Sequence, residues 1–252
     1  MTDTRPALLF VHGIHAGAWF FERWLSWFRD RGHRTVAVDL RGHGDAPLPP
    51  ATRLGAVRFR DYVDDAARAA APLGRPVVVG HSMGGLVAQA LAERGLVSAA
   101  VLVSPAPPRW ITVLTPQLLR YQIRDLPAVL ASRTLHPSWP AMRDLALNRV
   151  PEGERRALFD RLGPESGTVA GQLSLTGVPI DARRVRCPLL VLSGDDDRYV
   201  PLGKARRVAA KYGAPLRVLP GRGHAMMQEP GWEEGAEAIA RWMGARGPGT
   251  GD

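Results

Sequence analysis

Residues 77–87 read VVVGHSMGGLV, three valines running straight into Gly-His-Ser-Met-Gly-Gly and on into Leu-Val. An apolar strand that passes at once into a helix start, with no loop between, is the local pattern of a parallel α/β sheet. Gly80-His81-Ser82-Met83-Gly84 also fits G-x-S-x-G, a motif that needs a strand before it and a helix after it. A serine on so sharp a turn leaves no space for side chains two positions to either side. That accounts for Gly80 and Gly84, and Gly85 extends the tolerance. Two readings compete: a packing turn whose serine caps the helix, or a serine projected above the sheet as a nucleophile. Only the second requires partners elsewhere in the chain.

Outward from this turn, short apolar runs alternate with segments of helical period. The runs predict strands within 7–13, 34–40, 76–82, 98–104, 188–194 and 215–221, most of them apolar on both faces. Helices are predicted within 19–31, 58–73, 83–94, 202–212 and 232–245. In the first of these, Phe20, Trp24, Trp27 and Phe28 recur at helical spacing, which makes them a core face. Residues 105–187 break the rhythm: rich in Pro and Arg, weakly helical, without a strong strand. An insertion there lies over the C-terminal ends of the strands, where open parallel sheets bind ligands. The expected organisation is an α/β core from 1–104 and 188–245, a helical cap at 105–187 after the fourth strand, and a flexible tail at 246–252.

At 252 residues and 45% hydrophobic, the chain can bury a substantial core as one domain. Its net charge of +9 comes from scattered residues, all arginine except Lys204 and Lys211, with no basic stripe interleaved with aromatics. Nucleic acid is therefore not an expected partner. The first strand begins too early to leave room for a secretory leader, and no apolar run approaches a membrane span, so a soluble cytoplasmic protein is expected. Cys187, the single cysteine, cannot close an internal disulfide and is read as packing. His12 and His15 lack any further ligand motif, so neither a metal nor another cofactor is expected.

Partners for the serine are present. After the fifth strand comes Ser193-Gly194-Asp195-Asp196-Asp197-Arg198-Tyr199-Val200-Pro201, and after the sixth Gly221-Arg222-Gly223-His224-Ala225. Serine, acid and histidine in that order, each just past a strand, fall on one rim of the sheet. The neutral imidazole of His224 would take the Ser82 proton and return it to a leaving group, while a buried carboxylate holds the ring in the right tautomer. The helix start after Ser82, with the Met83 N–H, faces any negative charge developing beside it.

In these motifs and their order the chain resembles the α/β-hydrolase-fold serine hydrolases, over nearly its whole length apart from the cap and tail. The resemblance implies an α/β fold with a mostly parallel sheet of about six strands flanked by helices. It begins at what is usually the family's third strand, since nothing before Ala7 has room for two more. It also implies Ser82 as nucleophile and His224 as base. The family pattern Gly-x-x-Asp-x-x-Val-Pro, met at 194–201, selects Asp197 as the acid, with Asp196 as its rival. The loop His12-Gly13-Ile14-His15-Ala16-Gly17 matches the family's His-Gly loop, which implies an oxyanion hole formed by the backbone N–H groups of Ile14 and Met83. The turn DLRGHG at 39–44 also matches, in a structural role.

Dehalogenases and epoxide hydrolases of this fold need a carboxylate at the elbow, which Ser82 excludes. The opening VHGIHAGAWFFERW at 11–24 is similar to the plant methylesterase and hydroxynitrile lyase group, but the lyases use a cap lysine and 105–187 contains none. The expected function is hydrolysis of small or medium apolar acyl esters through an acyl-serine. The alternatives are a thioesterase, lactonase or cyclase of a biosynthetic pathway, or a non-catalytic ligand receptor on the same scaffold. The partner in each enzymatic case is a small-molecule ester, lactone or thioester. Its pocket is expected to draw on His15, Trp110, Tyr121, Trp139, Met226 and Met227.

Overall fold

The computed structural model describes residues 5–112 and 114–245; the tail expected at 246–252 lies outside the described residues. Strands β1 (Leu8–Val11), β2 (Thr35–Val38), β3 (Val77–His81) and β4 (Ala99–Val103) are followed by two short strands, β5 (Thr134–Leu135) and β6 (Glu165–Ser166). The last two are β7 (Leu189–Gly194) and β8 (Leu216–Leu219). Six of them form one wholly parallel sheet in the order β2-β1-β3-β4-β7-β8, while β5 and β6 pair antiparallel on their own. The four inner strands are fully buried, as their unbroken apolar sequences require. Edge strands β2 and β8 are only partly buried, so burial on both faces does not extend to them.

Alternate residues feed two cores. Leu8, Phe10, Val77, Val79, Val101 and Leu192 face helices α1 (Glu22–Arg29) and α10 (Glu233–Gly244), with Trp24 and Phe28 fully buried between them. The helical aromatics are thus a core face. Leu9, Val11, Val78, Leu102 and Val191 face the opposite layer, made by α2 (Phe59–Ala70), α3 (Met83–Glu93) and α9 (Leu202–Tyr212). Cys187 packs partly buried against this second core. Helix α3 starts one residue past the elbow and is buried from Met83 to Ala92, because it runs down the middle of the sheet.

The interval between β4 and β7 holds, besides β5 and β6, five short helices: α4 (Pro116–Gln122), α5 (Leu126–Leu130), α6 (Trp139–Ala141), α7 (Glu152–Asp160) and α8 (Gly167–Gly171). Both α6 and α8 run on into π-helical turns, Met142–Ala146 and Gln172–Thr176. Such turns commonly mark functional sites. The chain leaves β1 for β2 on one side and returns to β3 on the other. The ends of β1 and β3 therefore flank the point where the strand order reverses, and the sheet opens there.

Candidate active site

Ser82 sits at φ 53° and ψ −117°, a left-handed backbone that costs a non-glycine residue about 1–3 kcal/mol. The surroundings impose it. Its N–H donates to the Val103 carbonyl at 3.0 Å, and its carbonyl accepts from Gly85 at 2.9 Å and Ala106 at 2.8 Å. A Cβ on Gly80 would come within 2.1 Å of the Gly84 carbonyl oxygen, and one on Gly84 within 2.0 Å of the Val11 carbonyl oxygen. Strand, elbow and helix are thus locked by close backbone approach. Ser82 is the N-cap residue of α3, yet its side chain makes no capping hydrogen bond. A packing turn with a capping serine would have used the hydroxyl there.

Two loops meet the elbow from the other half of the sheet. A Cβ on Gly194, where β7 ends, would lie 2.1 Å from the Arg222 carbonyl oxygen, so the loops after β7 and β8 press together. Asp197 Oδ1 accepts from the Tyr199 and Val200 N–H groups at 3.0 and 2.8 Å, which fixes the carboxylate. His224 Nδ1 meets Asp197 Oδ2 at 2.9 Å and Oδ1 at 3.1 Å, and both side chains are buried. The rival carboxylates go elsewhere. Asp196 pairs with Arg149 and Arg198 and accepts from Asn148, and Asp195 accepts from the Gly221 N–H. Neither caps α9, whose N-cap Pro201 has no side-chain bond.

The imidazole of His224 is clamped between rings. Tyr199 stacks on it with centroids 5.0 Å apart and 24° between planes, and His81 lies on it at 4.7 Å. His81 Nε2 donates to the His224 carbonyl at 2.9 Å, and burial pushes the His81 ring well below its usual basicity. Burial and the neighbouring His43 likewise lower His12 to about 4. The His12 Nδ1–H donates to the Gly13 carbonyl and Nε2 accepts from Leu40 N–H, so the two histidines are neutral backbone props. Asp39 of the DLRGHG turn accepts from the Ala18 and Asp45 N–H groups, which is the structural work expected of it.

Ser82 and His224 border one small cavity of about 40 Å³ with Ile14, Phe20, His81 and Ala225. Ser82 and Met83 border a second of the same size with Ile14, Leu118, Ala170 and Tyr199. A Cβ on Gly13 would lie 3.0 Å from Ser82 Cβ, so the loop after β1 runs directly against the serine and carries Ile14 beside it. Met83 is the first residue of α3, and the first N–H groups of a helix have no intrahelical acceptor. A larger chamber of about 200 Å³ lies beneath α4, α5 and α8 and shares Leu118, Gln122, Ala170 and Ser174 with the second cavity, Met142 with the first, and Ile14 and Tyr199 with both.

His15 and Tyr121 line that chamber. Four other residues expected in the pocket are elsewhere. Trp110 is 86% exposed, because the chain leaves the core surface there, and its carbonyl accepts from Arg207. Trp139 packs edge-on against Phe159, under the Arg156 guanidinium. Met226 and Met227 are buried in the core on the α1/α10 side of the sheet and line none of the three cavities.

Glu165 has no signature in the sequence, since its neighbours Gly163-Pro164 and Ser166-Gly167 carry no period. It is wholly buried and accepts from Tyr62 Oη–H at 2.6 Å, Ser166 N–H at 2.6 Å and His43 Nε2 at 3.2 Å, with His15 N–H at 3.4 Å. Burial alone would raise its pKa, but the bond and charge of His43 pull it below the usual carboxylate range. Glu165 thereby ties the insertion to the loop carrying Ile14. Tyr199, which lines all three cavities, likewise carries no signature, since one residue of a polar loop shows no orientation in sequence. Among the described residues no cluster of three or more His, Cys, Asp or Glu is arranged to hold a metal, and no helix is long and apolar enough to cross a membrane.

Residues 8–240 match the model of the alpha/beta hydrolase family. The chain is 30% identical over 242 residues to a non-heme haloperoxidase of Rhodococcus erythropolis, covering 88% of this chain and 86% of that protein. It is 31% identical over 183 residues to the probable esterase PIR7A of Oryza sativa subsp. indica, covering 70% and 68%. Among solved structures, an Arabidopsis methylesterase superposes with a TM-score of 0.74 at 16% identity, covering 95% of this chain and 99% of that one. A monoacylglycerol lipase of Paleococcus ferrophilus gives 0.73 at 23%, covering 96% and 95%. These two likenesses concern the fold.

Proposed function

The chain belongs to the α/β-hydrolase family, and on that premise we propose that it is a serine hydrolase that cleaves carboxylic esters through an acyl-serine. The observation that carries the reading is His224, held by the buried Asp197 at 2.9 and 3.1 Å, bordering one cavity with a strained serine whose hydroxyl caps nothing. The names of relatives, esterase and lipase among them, agree with it.

In the proposed reaction Ser82 Oγ attacks the ester carbonyl carbon, and its proton passes to His224 Nε2 as the new C–O bond forms. Asp197, accepting from His224 Nδ1–H, stabilises the imidazolium. The Ile14 and Met83 N–H groups bind the oxyanion, with the N-terminus of α3 behind them. Collapse breaks the bond to the alcohol oxygen, which takes the proton from His224 Nε2. Water then repeats the sequence on the acyl-serine, releasing the acid and restoring Ser82. The insertion at 105–187 serves as a cap that keeps bulk water from the acyl-enzyme. A thioester or lactone would react by the same steps at the same atoms.

The test compares alkyl-ester hydrolysis by the wild type and Ser82→Ala, with circular dichroism to show that both are folded. Loss of turnover in a folded variant is expected; undiminished turnover would remove Ser82 from the reaction.

A further inference from the structure

The two small cavities at Ser82 differ in which part of the machinery they contain, and that difference orients a substrate. An ester bound for attack has two arms. The alcohol oxygen must lie at His224 Nε2 to collect its proton, and the carbonyl oxygen must lie at the Ile14 and Met83 N–H groups. The cavity bordered by His224 is walled by Phe20, Ala146, Leu147, Leu162 and Ala225, all apolar. Phe20, Leu147 and Ala225 belong to the packed core, which gives this end a rigid back wall. The cavity bordered by Met83 has no contact with His224 and shares Ile14, Leu118, Gln122, Ala170, Ser174 and Tyr199 with the large chamber. That chamber is lined mostly by leucines and other apolar side chains. It reaches the surface at Leu119, Ile123 and Leu126, which are 47%, 61% and 38% exposed.

We propose that the site takes esters of a small alcohol with an elongated apolar acid, the alcohol seated in the small cavity of about 40 Å³ beside His224 and the acyl chain running through the chamber beneath α4 and α8. The inference rests on the serine-hydrolase reading and adds the direction in which the substrate lies. Alcohol size is then limited sharply by the core wall. Acyl length is not, because the chamber opens to solvent at its far end, and each methylene buried along it strengthens transition-state binding by up to about fourfold. Ala170 lines both the acyl cavity and the chamber, and Leu162 lines the alcohol cavity.

Methyl nonanoate and octyl acetate are isomers with the arms exchanged, so they test orientation at equal composition and nearly equal apolarity. Hydrolysis would be followed by pH-stat, with a fluorophosphonate used in parallel to label Ser82. Expected is a kcat/KM for methyl nonanoate at least about tenfold above that for octyl acetate, the discrimination a few methylenes provide. Ala170→Phe should lower the ratio of methyl nonanoate to methyl acetate turnover. Leu162→Ala should raise octyl acetate relative to methyl nonanoate. A protein labelled at Ser82 that prefers octyl acetate, or treats the isomers alike, would overturn the orientation and leave the serine-hydrolase reading standing. A folded protein that neither labels nor turns over either isomer would overturn both.

Discussion

Replacing Glu229 by glutamine should make the protein more stable, and increasingly so as the pH rises from acid to neutral. Glu229 is wholly buried, and its Oε2 accepts from the Gly223 N–H at 2.8 Å, one residue before His224. Its Oε1 has no partner, and neither has the buried Oδ1 of Asn148. Both oxygens border Gly223, each within 2.9 Å of the place a Cβ there would occupy. Asn148 cannot turn its amide to help, because Nδ2 is held by the Asp196 carbonyl and carboxylate. A buried carboxylate oxygen without a donor, with a second unpartnered acceptor near the same glycine, favours the protonated carboxyl. Burial first, then the charge of Asp197, pushes the Glu229 pKa from 4.5 to about 7.

A carboxyl whose pKa is raised by folding binds more protons in the native state, so stability falls as pH rises between the unfolded and folded values. The displacement from 4.5 to about 7 amounts to about 3 kcal/mol once the pH exceeds both. Glutamine keeps the acceptor for Gly223 and turns a donor toward Asn148 at every pH. Urea unfolding of wild type and Glu229→Gln should therefore give similar midpoints at pH 4.5. Above pH 7 the variant should lead by about 2–3 kcal/mol, or roughly 4–12 °C in Tm for a chain of this size. A gap that does not change with pH, or a variant that is weaker at pH 8, would refute the assignment of the proton to Glu229.

Asp197→Asn should keep its backbone bonds to Tyr199 and Val200, remain folded, and lower kcat by about 10⁴-fold by turning the imidazole to the wrong tautomer. Asp196→Asn, whose carboxylate faces Arg149 and Arg198, should stay close to wild type in the same ester assay. Glu165→Ala leaves the His43 ring, the Tyr62 hydroxyl and the Ser166 N–H without their acceptor, and should cost about 3–5 kcal/mol in urea unfolding. In Gly84→Ala the new methyl would stand 2.0 Å from a backbone carbonyl that cannot retreat. Loss of folded protein on expression is expected, and a folded, active variant would contradict the elbow packing.

The parallel core was legible because its signals are local and repeated. All six main strands fall inside the runs read from apolar sequence, and α9 matches its predicted range, since buried strands and amphipathic helices write their periods into the chain. Of the candidate site, the residues that the structure brings together, Ser82, Asp197 and His224, were legible because the chemistry expected of them restricts residue type. Which aspartate turns inward was settled by pattern rather than by period. The insertion resisted reading for a physical reason. Its helices are short, two continue as π turns, and their apolar residues divide between the packed cores, as Leu118, Leu145 and Val169 do, and a chamber or solvent, as Leu119 and Ile123 do, so no single period marks a buried face. Trp110 shows the result: an exposed aromatic, placed by a loop whose direction no periodicity fixes. Glu165 was invisible because three of its four partners, His15, His43 and Tyr62, come from stretches of chain far from it in sequence.

If Ser82 is an activated nucleophile, incubation of the folded protein with a fluorophosphonate, followed by digestion and mass spectrometry, should find a single adduct on Ser82. That adduct should form in parallel with loss of ester hydrolysis and be absent from Ser82→Ala. Persistence of hydrolysis after full treatment, or an adduct on another residue that abolishes it, would show that Ser82 is not the nucleophile.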